Sequence, residues 1–125
     1  MDEPKPDWQL NTDHAIKNRF KKLNADHPKE YASLFSNLKK IKDLLDQGSK
    51  VGGFNVGFFR SEGGGVYRIG QTGVRDAKES RLYVYPDQER QIMYVLTAGT
   101  KDEQSDDVKS AKHTVTDIRK TLQGQ

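Results

Sequence analysis

The side chains best suited to chemistry are cationic and phenolic, and they gather in the glycine- and aromatic-rich stretch that begins near Phe54. Arg68 stands within Val66-Tyr67-Arg68-Ile69-Gly70, and Arg81 leads Arg81-Leu82-Tyr83-Val84-Tyr85. Side chains alternate across a strand, so Arg81, Tyr83 and Tyr85 share one face. Arg68, from the neighbouring hairpin, and Lys101, at the end of the last strand, could converge on that face. RNA cleavage by its own 2′-hydroxyl requires an aligned nucleophile, a stabilised phosphorane-like charge and a proton for the leaving oxygen. Unstacked RNA bases also stack on aromatic rings. Arg68 and Arg81 are therefore the candidate phosphate or transition-state stabilisers, with Lys101 in support and Tyr83 or Tyr85 stacking or relaying a proton. Arg60, Arg75 and Lys78 are candidates for RNA-backbone contacts. The plainer reading of each is a solvated or partner-covered position on an outward strand face.

Other chemistries find less support. The three histidines, His14, His27 and His113, have no i, i+4 pairing, so no metal is expected, and only His113 merits a test as a proton carrier. Gly63-Gly64-Gly65 lacks the Lys-Ser/Thr of a phosphate loop and reads as a hairpin turn. Asp106 and Asp107 are adjacent, so they face different directions on a helix and read as first-turn carboxylates. With no cysteine there is no disulfide, thiolate metal site or cysteine nucleophile. No cofactor is expected. Lys17, Arg19, Lys21 and Lys22, and the cluster Lys39, Lys40 and Lys42, could grip RNA, although such runs are more often solvated helix faces.

These residues must be positioned by a thin core, because only 33% of the 125 residues are apolar and 31% are charged. The net charge of +3 is small for a nucleic-acid binder, so any such site must be local. Residues 1–11 carry two prolines and no periodicity and are expected to be a flexible tail, with Trp8 docking on a single domain over 12–125. Ile16, Phe20 and Leu23 mark a first helix, with Asn11, Thr12 or Asp13 as N-cap. Pro28 opens a second, whose stripe Tyr31, Leu34, Phe35, Leu38, Ile41 and Leu45 ends before Gly48. Phe54 to Phe58 alternates as a strand, Ser61 to Gly65 turns the chain, and Val66 to Gly70 pairs back. Gly73 to Ser80 is a flexible excursion, and Arg81 to Tyr85 and Gln91 to Ala98 form a second hairpin. A last helix starts with Ser105 as N-cap and carries the seam Val108, Ala111, Val115, Ile118 and Leu122. The expected fold is α+β: an N-terminal helical hairpin, a small antiparallel sheet of about four strands and a C-terminal helix. No apolar run is long enough for a membrane span and no secretion signal stands at the N-terminus, so a cytoplasmic protein is expected.

Local sequence adds a resemblance. Gly65-Val66-Tyr67-Arg68-Ile69, Arg81-Leu82-Tyr83-Val84-Tyr85, Ile92-Met93-Tyr94-Val95-Leu96-Thr97-Ala98-Gly99, and Lys101-Asp102-Glu103-Gln104-Ser105 running into Val108-Lys109-Ser110-Ala111 resemble the RelE/ParE toxin superfamily. The likeness is to its HigB-like and phage-derived branch, over roughly residues 13–122. It implies the toxin half of a type II toxin–antitoxin pair, often a metal-independent endoribonuclease that cuts ribosome-bound mRNA and is neutralised by a cognate antitoxin. Members with that activity are usually more basic, carry a basic pair where this chain has Lys101-Asp102, and have shorter inserts than Gly70 to Ser80. The alternative on the same scaffold is a non-catalytic, protein-binding or regulatory member, such as a ParE-like inhibitor.

Overall fold

Two amphipathic helices open the layer on one side of a sheet. The computed structural model describes residues 7–124. Helix α1 spans Lys17–Asp26 and α2 spans Pro28–Asp46. Ile16 is the cap residue of α1 and none of Asn11, Thr12 or Asp13 caps it; the Asn11 side chain instead accepts the Asp13 N–H at 2.9 Å. Pro28 occupies the first turn of α2, where its missing N–H costs nothing. Leu34, Leu38, Ile41 and Leu45 are buried along α2. The helix ends in a Schellman motif: Gly48 takes φ +103° and donates to the Leu45 carbonyl, and Ser49 donates to that of Leu44, each at 3.0 Å.

The sheet has five strands, β1 (Gln9–Asn11), β2 (Phe59–Gly63), β3 (Val66–Gly70), β4 (Ser80–Asp87) and β5 (Ile92–Thr100), in the order β1-β5-β4-β3-β2. The fold is thus α+β, with a mixed sheet in place of the antiparallel four-stranded one expected. The additional strand comes from the expected tail: Gln9–Asn11 pairs in parallel with Ile92, Met93 and Tyr94. Trp8 is 2% exposed, and its backbone N–H donates to the Asp46 carboxylate at 2.7 Å. A buried indole and three ladder residues anchor this segment; residues 1–6 of the expected tail lie outside the described residues. Phe54 to Phe58 is not a strand either. Its apolar residues Phe54, Val56 and Phe58 pack against the helix-side core, which satisfies their alternation without strand pairing.

The β2–β3 turn is made by Gly64 and Gly65, with φ of +63° and +89°, the left-handed pair that a two-residue hairpin requires. Between β4 and β5 the register pairs Tyr83 with Thr97 but Val84 with Val95, leaving Leu96 as a bulge. The expected excursion is fastened to α2. Thr72 N–H donates to the Ser33 hydroxyl at 2.8 Å, Asn37 Nδ2 donates to the Gly70 carbonyl at 2.8 Å, and Lys78 N–H donates to Glu30 at 3.1 Å.

Helix α3 (Gln104–Gln123) covers the opposite face of the sheet. Ser105 lies inside it and does not cap it; the chain enters through a capping box in which Thr100 and Glu103 satisfy each other's backbone N–H groups across a short 3₁₀ turn. The sheet therefore lies between two cores. Ile69, Leu82, Val84, Met93 and Val95 meet α1 and α2, while Tyr83, Tyr85, Tyr94 and Leu96 meet Ala111, Val115 and Ile118 of α3.

Candidate functional site

Cross-strand register brings three arginines together at the β2–β3–β4 end of the sheet. Arg60 on β2 faces Arg68 on β3, and Arg81 on β4 pairs with Gly70, two residues further along β3. All three line one pocket of about 290 Å³, with the Gly57–Phe58 segment, Gly70, Gln71 and Thr72 completing its wall. The guanidinium groups of Arg68 and Arg81 thus reach the same space, although they come from different hairpins.

Each has a carboxylate neighbour. Arg68 Nη1 lies 3.2 Å from Glu62 Oε1, and both side chains are largely buried. Gln104 Nε2 at the start of α3 donates to the same Glu62 oxygen at 3.5 Å. Arg81 Nη2 lies 3.6 Å from Glu79 Oε2, which Lys101 Nζ also approaches at 3.3 Å. Arg60 has no ion pair among the described residues; its Nε donates to the Gly57 carbonyl at 3.3 Å. Four cations therefore face two carboxylates, and the pocket keeps a positive balance available to an anion. Glu79 is 59% exposed, so water screens its pairs and an incoming phosphate can compete for them.

The tyrosines do not belong to this surface. Tyr83 and Tyr85 share a face as expected, but α3 covers it, leaving them 0% and 8% exposed. Tyr83 presents no ring to a base, and its hydroxyl has no hydrogen-bond partner. Burial, with Asp107 and Glu62 nearby, pushes its phenol far above the usual range, so it does not relay protons near neutral pH. Tyr85 stacks on Tyr94, with ring centroids 5.5 Å apart and planes at 12°, and the Arg119 guanidinium lies 5.2 Å above it. Strand parity identified the face, but these phenols are core residues.

The remaining candidates scatter. Arg75 is exposed on the 71–79 segment, Lys78 pairs with Asp102, and Lys101 joins the pocket only through Glu79. His113 is exposed on α3, 3.6 Å from Asp117; His27 sits against Glu30 at 3.4 Å, and His14 packs edge-on to Tyr94. No group of three or more His, Cys, Asp or Glu among the described residues is disposed to hold a metal ion, and no described helix is long and apolar enough to cross a membrane.

Two features lay beyond sequence reasoning. Glu79 stands between Arg81 and Lys101, and only their convergence makes it notable. Arg19, grouped by sequence with the lysine face, instead clamps α1 to the start of α3. Its Nη1 donates to Glu103 at 2.8 Å and its Nη2 to Asp107 at 2.9 Å. The Arg19 bond, with help from the Thr100 backbone, holds the Glu103 carboxyl at about 2, while burial raises that of Asp107 despite Arg19. Gly99 lies directly beneath this clamp, and a Cβ there would collide with the Asp107 carboxylate.

No protein-family model, curated protein or solved structure matches this chain.

Proposed function

We propose that this chain is the toxin component of a type II toxin–antitoxin pair, of the RelE/ParE type, acting on an RNA phosphodiester at the arginine pocket. The single observation that supports this reading is the meeting of Arg60, Arg68 and Arg81 around one concavity with surplus positive charge. Phosphoryl oxygens suit guanidinium forks, which offer paired donors to anionic oxygens.

In this reading the RNA 2′-oxygen attacks the adjacent phosphorus, the bond to the 5′-oxygen breaks, and the products are a 2′,3′-cyclic phosphate and a 5′-hydroxyl. Arg81 and Arg68 neutralise the charge that develops on the phosphoryl oxygens, and Arg60 holds a neighbouring phosphate. With both tyrosines buried, the proton work falls to the pair at the pocket's edge: Glu79 accepts the 2′-hydroxyl proton and Lys101 supplies one to the departing oxygen. Ribosome-bound mRNA is the substrate and the cognate antitoxin the neutralising partner.

Expression of the chain should arrest growth, and Arg68→Ala combined with Arg81→Ala should relieve the arrest while the circular dichroism spectrum is unchanged. A folded double variant that remains equally toxic removes the pocket from the mechanism.

One observation favours the alternative, a non-catalytic protein-binding or regulatory member of the same fold. Arg68 is ion-paired with Glu62, both side chains being largely buried, and the aromatic groups expected to stack on bases lie under α3. On that reading, programmed ribosomes show no mRNA cleavage in the presence of the protein, and a stable protein complex forms instead.

A further inference from the structure

The polar groups left available around the arginine pocket are mainly donors. Four carbonyls of its wall already accept hydrogen bonds: Gly57 from Arg60 Nε at 3.3 Å, Phe58 from the Gly70 N–H at 2.8 Å, Gly70 from Asn37 Nδ2 at 2.8 Å, and Thr72 from the Ser33 hydroxyl at 2.8 Å. The Thr72 hydroxyl is engaged with the Asn37 amide. The neighbouring carboxylates, Glu62 and Glu79, face Arg68, Arg81 and Lys101. Gln71 then adds a donor that is not a cation. Its Oε1 accepts the Ser80 N–H at 2.8 Å, and since only an oxygen can accept from a backbone N–H, that bond settles which end of the amide is which. The other end, Nε2, has no hydrogen-bond partner among the described residues, and the side chain lines the pocket.

The shape suits a flat ring beside the phosphate. At about 290 Å³ the pocket stands at the lower end of small-ligand sites, which fits a single nucleotide. Gly57 and Gly70 put no side chain into it; a Cβ at Gly70 would stand 3.7 Å from Arg81 Nη1 and 3.9 Å from the Phe58 carbonyl oxygen. Half-buried Phe58 gives the wall an aromatic side chain, the kind of group on which a base stacks. Bases differ in the edge they show to such donors. On the edge that faces the major groove of a duplex, guanine offers two acceptors, O6 and N7, and uracil offers O4, whereas adenine and cytosine carry an amino group at that exocyclic position. An amino group against Gln71 Nε2 would set donor against donor and leave both unpaired.

We infer that Gln71 is a specificity-determining residue, through which this pocket selects a nucleotide with a keto base, guanine or uracil, its phosphate on the arginines and its carbonyl edge on the Gln71 amide. The inference rests on the reading of the arginines as a phosphate site and names the base that site takes.

The test is isothermal titration calorimetry of the full chain with the 5′-monophosphates of inosine, adenosine, uridine and cytidine. Inosine has the O6 and N7 of guanine without its 2-amino group, so each purine or pyrimidine pair compares a keto with an amino base on one ring system. The inosine nucleotide should bind at least about tenfold more tightly than the adenosine one, and the uridine nucleotide than the cytidine one by the same margin. Gln71→Glu keeps an oxygen for the Ser80 N–H and puts an acceptor where the amide N–H groups were, so the ratio within each pair should fall to about one or invert. The repulsion between the new carboxylate and phosphate is common to both members of a pair and cancels in that ratio. The comparison on the parent chain stands without any variant, so a Gln71→Glu chain that fails to fold leaves it to decide. Equal affinity within both pairs, with binding that Arg68→Ala plus Arg81→Ala abolishes, would overturn the inference and leave the phosphate site standing. Failure of all four nucleotides to bind would overturn both. A folded Gln71→Glu chain with unchanged ratios would remove Gln71 from the selection.

Discussion

Replacing Glu103 by Gln keeps the shape of the side chain and removes its charge from the clamp that joins α1 to α3. Glu103 accepts from Arg19 Nη1 at 2.8 Å, and from both the Thr100 N–H and the Thr100 hydroxyl at 3.1 Å. These donors, Arg19 first, bring its carboxyl from the usual 4.5 to about 2. A folded-state value below the unfolded one means that the contribution is fully present above about pH 4.5 and is lost as pH falls toward about 2. At 1.36 kcal/mol for each factor of ten in proton affinity, the full effect is about 3 kcal/mol. The side chain is 34% exposed, however, and solvent screening brings a realistic figure to about 1 to 2 kcal/mol. Asp107 works in the opposite sense: burial raises its carboxyl, so its charge costs stability above its unfolded value and acidification relieves that cost. Its contribution is shared by parent and variant and largely cancels in their difference. Urea denaturation followed by circular dichroism, at intervals between about pH 7 and about pH 2.5, should show the Gln variant weaker by about 1 to 2 kcal/mol at neutrality and the gap closing on acidification. A gap that is constant with pH, or absent at neutrality, would refute the assignment of this carboxylate to the clamp.

Gly99→Ala should lower stability by about 1 to 3 kcal/mol, seen as a reduced Tm, because the new methyl displaces the Asp107 carboxylate and lies 2.5 Å from Arg19 Nη2. Tyr83→Phe should be neutral, or stabilising by up to about 1 kcal/mol in the same assay, since the hydroxyl it removes has no partner; a clear loss would show that this oxygen is engaged. Asn37→Ala, which releases the Gly70 carbonyl and Thr72, should cost about 1 to 2 kcal/mol and speed amide exchange in residues 71–79 while leaving β5 protected; uniform exchange would deny the tether.

Long periodic elements were the most legible in the sequence. The α2 stripe, the Pro28 start and the Gly48 stop each follow from one local rule, and their agreement left little room for another reading. The glycine turn and β3 were equally plain. Three residues of β1 are too short to show a period, so the parallel ladder with β5 that structures the chain there left no signal in the sequence. Phe54 to Phe58 alternates like a strand because packing against the helix-side core also selects every second residue. Parity correctly set Arg81 beside Tyr83 and Tyr85 on one face, but it is silent about what covers that face. The α3 seam was visible while its partner was not, and that partner proved to be the tyrosine surface. Contacts between distant segments, such as Arg19 with Glu103 and Asp107, leave no local signal, and the same holds for the convergence of Glu79 with Arg81 and Lys101.

If Arg60, Arg68 and Arg81 together hold phosphate groups, binding of a short single-stranded RNA must release counterions in proportion to their number. Three phosphate contacts give a plot of log affinity against log salt a slope of about −2, and Arg68→Ala with Arg81→Ala should reduce it to about −0.7. The same slope in the parent and the folded double variant would contradict the arginine pocket as the place where RNA is held.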